Sequence, residues 1–215
     1  MNSLLTTIAL AGGALAVYHV LLRPRMLRRG ATREEANRVL PGDEITPRKP
    51  FRSTMAATLT ATPEEIWPWL VQMGWNRGAY YTYNPIENLL GLDLHNADRI
   101  HPEWQDLKVG DTIWMSHPRL KNLFPETKVN TIEPKQALVL AIYGPKGAVK
   151  PPSGAWTFFL EPIDDTATRF IVRLQVATPT VMGKIIFYAF MEPAHFFMQQ
   201  TMFTGLQERL IRSKA

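Results

Sequence analysis

The chain contains no cysteine, which excludes disulfides, thiolate nucleophiles and cysteine-ligated zinc and suits a reducing compartment such as the cytoplasm. It also lacks a glycine-rich phosphate loop, a serine in a diagnostic nucleophile setting, internal repeats and low-complexity tracts. Phosphoryl transfer and serine-type acyl transfer therefore have no signature here. Charge is absent from Ser3 to Leu22. Acidic residues are then scarce from Arg23 to Arg38, where six arginines face only Glu34 and Glu35. From Val39 onward 18 Lys/Arg face 17 Asp/Glu, so most of the net charge of +5 sits in one short segment. No nucleic-acid motif accompanies that segment, and nucleic acid is not an expected partner.

The uncharged stretch carries Leu4, Leu5, Ile8, Leu10, Leu15, Val17, Val20, Leu21 and Leu22. As a helix it would extend about 28 Å, close to the roughly 30 Å hydrocarbon core of a bilayer. A cleaved signal would place its positive charges before the apolar run, whereas here the arginines follow it. An uncleaved single-pass anchor over residues 1–22 is expected, in the inner (cell) membrane with the large domain on the cytoplasmic side. Gly12, Gly13, Ala14 and Ala16 leave a small-residue face for a second membrane protein, or are simply part of a weakly hydrophobic anchor.

Residues 23–50 read as a basic juxtamembrane helix, Ala31 to Arg38, stopped by Leu40-Pro41-Gly42-Asp43 and followed by a connection stiffened by Pro47 and Pro50. A folded domain is expected over 51–215. It opens with a strand, Phe51 to Ala61, and then Thr62-Pro63-Glu64-Glu65, a capping box with proline at the first helical position. The helix that follows carries Pro68 and ends near Gly74; a second short helix is expected from Asn84 to Leu90. Strands are predicted at Thr112–Ser116, Thr127–Ile132, Gln136–Tyr143, Ala155–Glu161 and Thr168–Ala177. In the last, Phe170, Val172, Leu174 and Val176 alternate with Arg173 and Gln175, the pattern of a strand with one wet face. Gly144 to Gly154 forms a long connection, either a lid or a loose hairpin loop.

From Met182 to Arg212 a long helix is expected, with Phe196, Phe203, Leu206 and Leu210 on one face and His195 and Met202 beside them. Gln199 and Glu192 share that apolar face and need partners, from neighbouring backbone or from a ligand. Val181 to Met191 is apolar nearly all round, with only Lys184 charged. It is too short to cross a membrane, and either touches the bilayer surface or packs on the sheet. One strand, two helices, five strands and a long helix describe an α+β domain with an antiparallel sheet covered by helices on one side.

That order, with Leu40-Pro41-Gly42-Asp43, Trp67-Pro68-Trp69-Leu70-Val71-Gln72-Met73-Gly74, His95-Asn96-Ala97-Asp98-Arg99-Ile100, Pro102-Glu103-Trp104-Gln105, Val109-Gly110-Asp111 and Glu192-Pro193, resembles the helix-grip (SRPBCC) superfamily. This superfamily includes START lipid-transfer domains, birch-pollen-allergen-like proteins and polyketide cyclases/dehydrases. The resemblance runs from about Val39 to Arg212 and is greatest to a bacterial, membrane-anchored subgroup. It implies a curved antiparallel sheet of about six strands wrapped around the C-terminal helix, with an apolar cavity between them. The implied occupant is a hydrophobic small molecule: a lipid, an isoprenoid or a polyketide-like compound. The residues expected to line its site are Tyr81, Tyr83, His95, Trp156, Phe158, His195, Gln199 and Phe203.

His95, Asp98, His101 and Glu103 are of metal-ligating type, but their spacing matches no metal pattern. No metal or other cofactor is expected. The bland alternative is that Asp98 and Arg99 brace the loop while Ile100 and Trp104 plug it into the core. An enzyme of the cyclase or dehydratase type would use His95 or Asp98 as a general base and Tyr81 or Tyr83 to polarise a carbonyl. Trp75, Tyr80, Tyr81 and Tyr83 line either a pocket entrance or a core edge. Three functions follow: a membrane-anchored binding domain, an enzyme on a similar ligand, or an accessory subunit with its cavity filled by side chains.

Overall fold

In the computed structural model, residues 6, 7, 10, 13, 16–46, 50–121, 124–143, 152–177 and 181–214 are described. A π-helical turn, Tyr18–Leu22, leads into α1 (Arg23–Met26), and α2 (Arg33–Asn37) precedes the sheet. The strands are β1 (Phe51–Leu59), β2 (Thr112–Trp114), β3 (Glu126–Glu133), β4 (Ala137–Ile142), β5 (Gly154–Pro162) and β6 (Thr168–Val176). They form one antiparallel sheet in the order β1-β6-β5-β4-β3-β2. Between β1 and β2 lie α3 (Pro63–Val71) and α4 (Asn84–Leu89). After β6 come α5 (Val181–Ile186), a second π-helical turn (Phe187–Met191) and the long α6 (Glu192–Arg212). A register shift between Val129 and Thr131 marks an irregularity in the β3–β4 pair.

The capping box forms as expected. Glu65 N–H donates to Thr62 Oγ1 and Thr62 N–H to the Glu65 carboxylate, at 3.4 and 2.8 Å. One face of the sheet carries, in one row across β6, β5, β4 and β3, Leu174, Trp156, Leu140 and Val129. The next row holds Val172, Phe158 and Leu138, and α6 crosses this face. Phe203 meets Phe170 edge-on at 5.6 Å, and the His195 ring lies 6.4 Å from that of Phe51. The buried stripe of α6 is Glu192, Gln199, Met202, Phe203, Leu206 and Leu210. This is the α+β helix-grip arrangement.

The opposite face departs from expectation. An antiparallel sheet usually leaves one face to water, yet Arg173 and Gln175 are 0% and 1% exposed. Residues 31–46, expected as a stalk and linker, lie over them as a strap. Arg173 donates to the Arg38, Glu35 and Ala36 carbonyls and to Asp43 at 2.7 Å, and Gln175 donates to Asp43 as well. Leu40 is buried, and Thr157 Oγ1 donates to the Pro41 carbonyl. Upstream, Thr54 N–H and Ala56 N–H donate to the Leu27 and Arg29 carbonyls, so residues 27–29 shield the β1 edge. Gly30, at φ 77°, is required there because a Cβ would overlap the Ala56 carbonyl.

Among the described residues no helix is long and apolar enough to cross a membrane. Much of the expected anchor, namely residues 1–5, 8, 9, 11, 12, 14 and 15, lies outside them, as do residues 144–151 of the long connection.

Candidate functional site

Two places draw polar groups together. The first is the interior between the sheet and α6. Trp156 lies on Phe158 at 4.8 Å and stacks on Tyr80 at 5.4 Å, and Phe158 stacks on Phe170. In this aromatic setting several buried polar atoms have no partner: Trp156 Nε1, Gln199 Oε1 and, on α4, Glu87 Oε2. Gln199 is 2% exposed and its amide nitrogen reaches only the Met202 sulfur, at 3.4 Å. Glu87 is 3% exposed; Thr82 donates to its other oxygen at 2.5 Å. Burial pushes the Glu87 pKa up, and the Thr82 hydrogen bond opposes this only in part. Tyr80, which stacks on Trp156, also feels Glu87: its hydroxyl titrates above the usual phenol range through burial first and the Glu87 charge second. A buried polar atom without a partner costs about 1–3 kcal/mol, so most native groups of this kind are paired.

The second is a surface cleft of about 270 Å³ lined by Trp75, Asn76, Arg77, Asp93, His95, Ala97, His101 and Trp104. Its walls are strained loops. Asn76, Ala79, Tyr81 and Asp93 all have φ between 51° and 60°, a conformation costing of order 1–3 kcal/mol per residue. Gly74 and Ala79 pair as an isolated bridge that closes the first turn. Gln72, fully buried, holds the far wall by donating to the Arg99 carbonyl and accepting from His101 N–H. Arg77 donates to the Val71 and Trp104 carbonyls, and burial lowers its pKa. His95 pairs with Asp93 and His101 with Glu103, each at 3.1 Å. The His95 contact is the first cause holding the Asp93 carboxyl below its usual range.

The expected catalytic set is not brought together. Tyr81 is buried and its hydroxyl is already donated to the Trp69 carbonyl, so it is not free to polarise a substrate. Tyr83 is half exposed at the start of α4. His95 is an exposed residue of the cleft, while Asp98 pairs with Arg209 at 2.9 Å rather than with Arg99. No three metal-ligating side chains cluster among the described residues. Of the expected lining, Trp156, Phe158 and Phe203 share one core cluster between sheet and α6, Gln199 is buried on α6 against Met202, and His195 stands at one end beside Phe51. Trp75 went to the cleft and Tyr80 to the core. Glu87, Asp93 and Arg77 were missed. Only an acid inside a short helix of otherwise uncharged residues, Asn84 to Leu89, could have signalled Glu87.

His195 retains some exposure, but burial of the ring pushes its pKa down to about 4. The unfolded value is about 6.5, so between the two the folded state binds fewer protons. Stability from this group is complete above about pH 6.5 and is lost as pH falls through about 4. The shift is worth at most roughly 3 kcal/mol, and less with partial exposure. Denaturant midpoints should therefore fall between about pH 6.5 and 5, above the carboxylate range, and fall less in His195→Gln. Equal slopes for the two proteins would remove His195 as the cause.

No family model matches the chain, and no curated protein matches it significantly. Solved structures do. Protein NE0264 from Nitrosomonas europaea is similar at a TM-score of 0.50 and 17% identity, over 76% of this chain and 96% of that one. Protein Ms6760 from Mycobacterium smegmatis matches at 0.47 and 10%, over 78% and 96%. The Polyketide_cyc-like protein Cgl2372 from Corynebacterium glutamicum matches at 0.36 and 11%, over 77% and 90%. At these identities the likeness is one of fold alone, carried by the first of the three, and it agrees with the helix-grip arrangement of sheet and long C-terminal helix described above.

Proposed function

We propose that the chain is a binding domain for a hydrophobic small molecule, held between the sheet and α6 and kept at a membrane by the amino-terminal segment. The observation that carries this reading is the set of buried, unpartnered polar atoms, Trp156 Nε1, Gln199 Oε1 and Glu87 Oε2, in an aromatic interior. Pockets for small molecules combine apolar walls with a few polar groups that orient the ligand. The indole N–H and the acid that burial favours in its neutral form can donate, while the Gln199 amide oxygen accepts. The complementary ligand has an apolar body with an acceptor such as a carbonyl and a donor such as a hydroxyl. A lipid, isoprenoid or polyketide-like compound meets that description. Support for the anchor comes from the uncharged stretch Ser3 to Leu22 and the arginines after it.

Small molecules extracted from the purified full chain should include one hydrophobic compound near one per protein. In Gln199→Leu its retention should fall about tenfold, corresponding to about 1.4 kcal/mol. The unliganded variant should be as stable as the parent or more so, since the change removes an unpaired buried oxygen. A parent that neither carries a compound nor takes one from a lipid extract would overturn the reading.

A further inference from the structure

The two π-helical turns, Tyr18–Leu22 and Phe187–Met191, are 165 or more residues apart in the chain but are held side by side. Glu192, whose side chain is 1% exposed, takes the Arg23 guanidinium in a bidentate pair, with contacts of 2.8 to 3.0 Å. Tyr18 donates to the same carboxylate at 3.3 Å, and Arg23 lies 4.9 Å from the Tyr188 ring centroid. A doubly bonded Arg–carboxylate pair fixes orientation as well as distance. Such turns often occur at functional sites.

Outside this clasp both segments turn apolar side chains to solvent. Val20, Leu21 and Leu22 are exposed on one, and Val181, Ile185 and Phe190 on the other, Phe190 at 70%. Phe187 reaches inward, to Phe51 at 4.6 Å. A helix apolar nearly all round belongs inside a protein core or in lipid, and an exposed patch of this kind marks a contact surface. At eleven residues, 181–191 is far too short to span a bilayer.

Charge selects the occupant. No Asp or Glu precedes Glu34, and none lies between Val176 and Glu192. Apart from the Arg23–Glu192 pair, the same two stretches carry Arg25, Arg28, Arg29, Arg33 and Lys184. The carboxylate at their junction, Glu192, is already paired. We infer that residues 181–191 and the amino-terminal helix, clasped by Arg23 and Glu192, form one face that lies in an anionic bilayer surface. The 181–191 segment enters the interface and the arginines meet acidic headgroups. Its outer side then meets lipid while Phe187 packs inward on Phe51, beside His195 at one end of the interior site. The inference rests on the anchoring part of the proposed function and not on the interior ligand.

Because the chain has no cysteine, single labels can be placed cleanly in the full protein. Val20→Cys, Phe190→Cys and Asp165→Cys would carry an environment-sensitive fluorophore. Asp165 is exposed at the hairpin turn before Thr168, at the opposite end of β6 from the Val176–Phe51 pair. In vesicles of phosphatidylcholine with phosphatidylglycerol, the Val20 and Phe190 probes should shift to the blue and be quenched by brominated lipid. The Asp165 probe should stay aqueous. Adding Ile185→Asp should return the Phe190 probe to water without moving the one at Val20. A Phe190 probe that stays aqueous while Val20 is embedded would overturn the inference and leave the anchor standing. If both stay aqueous, the anchor fails as well. A Phe190 shift that needs no lipid and grows with protein concentration would assign the face to a second copy of this chain and overturn the lipid reading.

Discussion

Arg173→Ala is expected to lower stability by roughly 3–5 kcal/mol, the range for breaking a buried ion pair from one side. The residue is fully buried and makes five hydrogen bonds through its three guanidinium nitrogens. Four of these go to the strap and one to Thr54 on β1. Removing the guanidinium strips three strap carbonyls of their side-chain donor and leaves the Asp43 carboxylate with Gln175 and the Leu40 N–H but without its close buried cation. The full penalty is not reached because the strap can lift and rehydrate. Denaturant unfolding should show the loss, and proteolysis near Arg33 to Arg38 should become rapid before the sheet unfolds. Asp43→Asn keeps the carbonyl contacts and should cost less. A change under about 1 kcal/mol in Arg173→Ala would show that the strap contributes little to the fold; effects that small are ordinary for surface sites.

Gly205→Ala should also be severe, against the local rule. Helix propensity favours alanine over glycine by about 1 kcal/mol in a helix interior. Here, however, a Cβ would overlap the Tyr81 carbonyl oxygen. Tyr81 cannot easily recede: it stands at φ 60°, its N–H is given to Asn96 at 2.7 Å and its hydroxyl to Trp69 at 2.7 Å. Overpacking against a fixed neighbour costs typically 1–3 kcal/mol, which set against the propensity gain leaves a net loss of up to about 2 kcal/mol. Since α6 must shift to relieve the contact, Gln199 and Phe203 move with it, and retention of the interior ligand should fall in the same variant. A Gly205→Ala protein as stable as the parent would mean that α6 approaches Tyr81 less closely than it does here.

Glu192 shows how a local reading stops short. Its place on the apolar stripe of α6 was evident, and so was its need for a partner. That partner, Arg23, lies 169 residues away in a segment expected to be only a stalk. The three tyrosines Tyr80, Tyr81 and Tyr83 make the same point within four positions. Two are buried with their hydroxyls given to backbone carbonyls, and the third is half exposed. Nothing in their immediate sequence separates them, because their fates depend on Trp156, Trp69 and Arg209 packing from other elements.

What the chain determines by itself is whatever depends on neighbours within a few residues. The Thr62–Glu65 cap, the two-residue period of Phe170, Val172 and Leu174, and the helical stripe from Phe203 to Leu210 all follow from backbone geometry and local hydrogen bonding. They suffice for the order of elements and the α+β class of an antiparallel sheet covered by helices. Tertiary structure alone decided that the polar face of β6 would be roofed by residues 31–46. It also decided that Asp98 would meet Arg209 and that Glu87, Trp156 and Gln199 would hold polar atoms without partners. Each of these turns on desolvation, which is set by what covers a group after folding, and the covering residues come from distant parts of the chain.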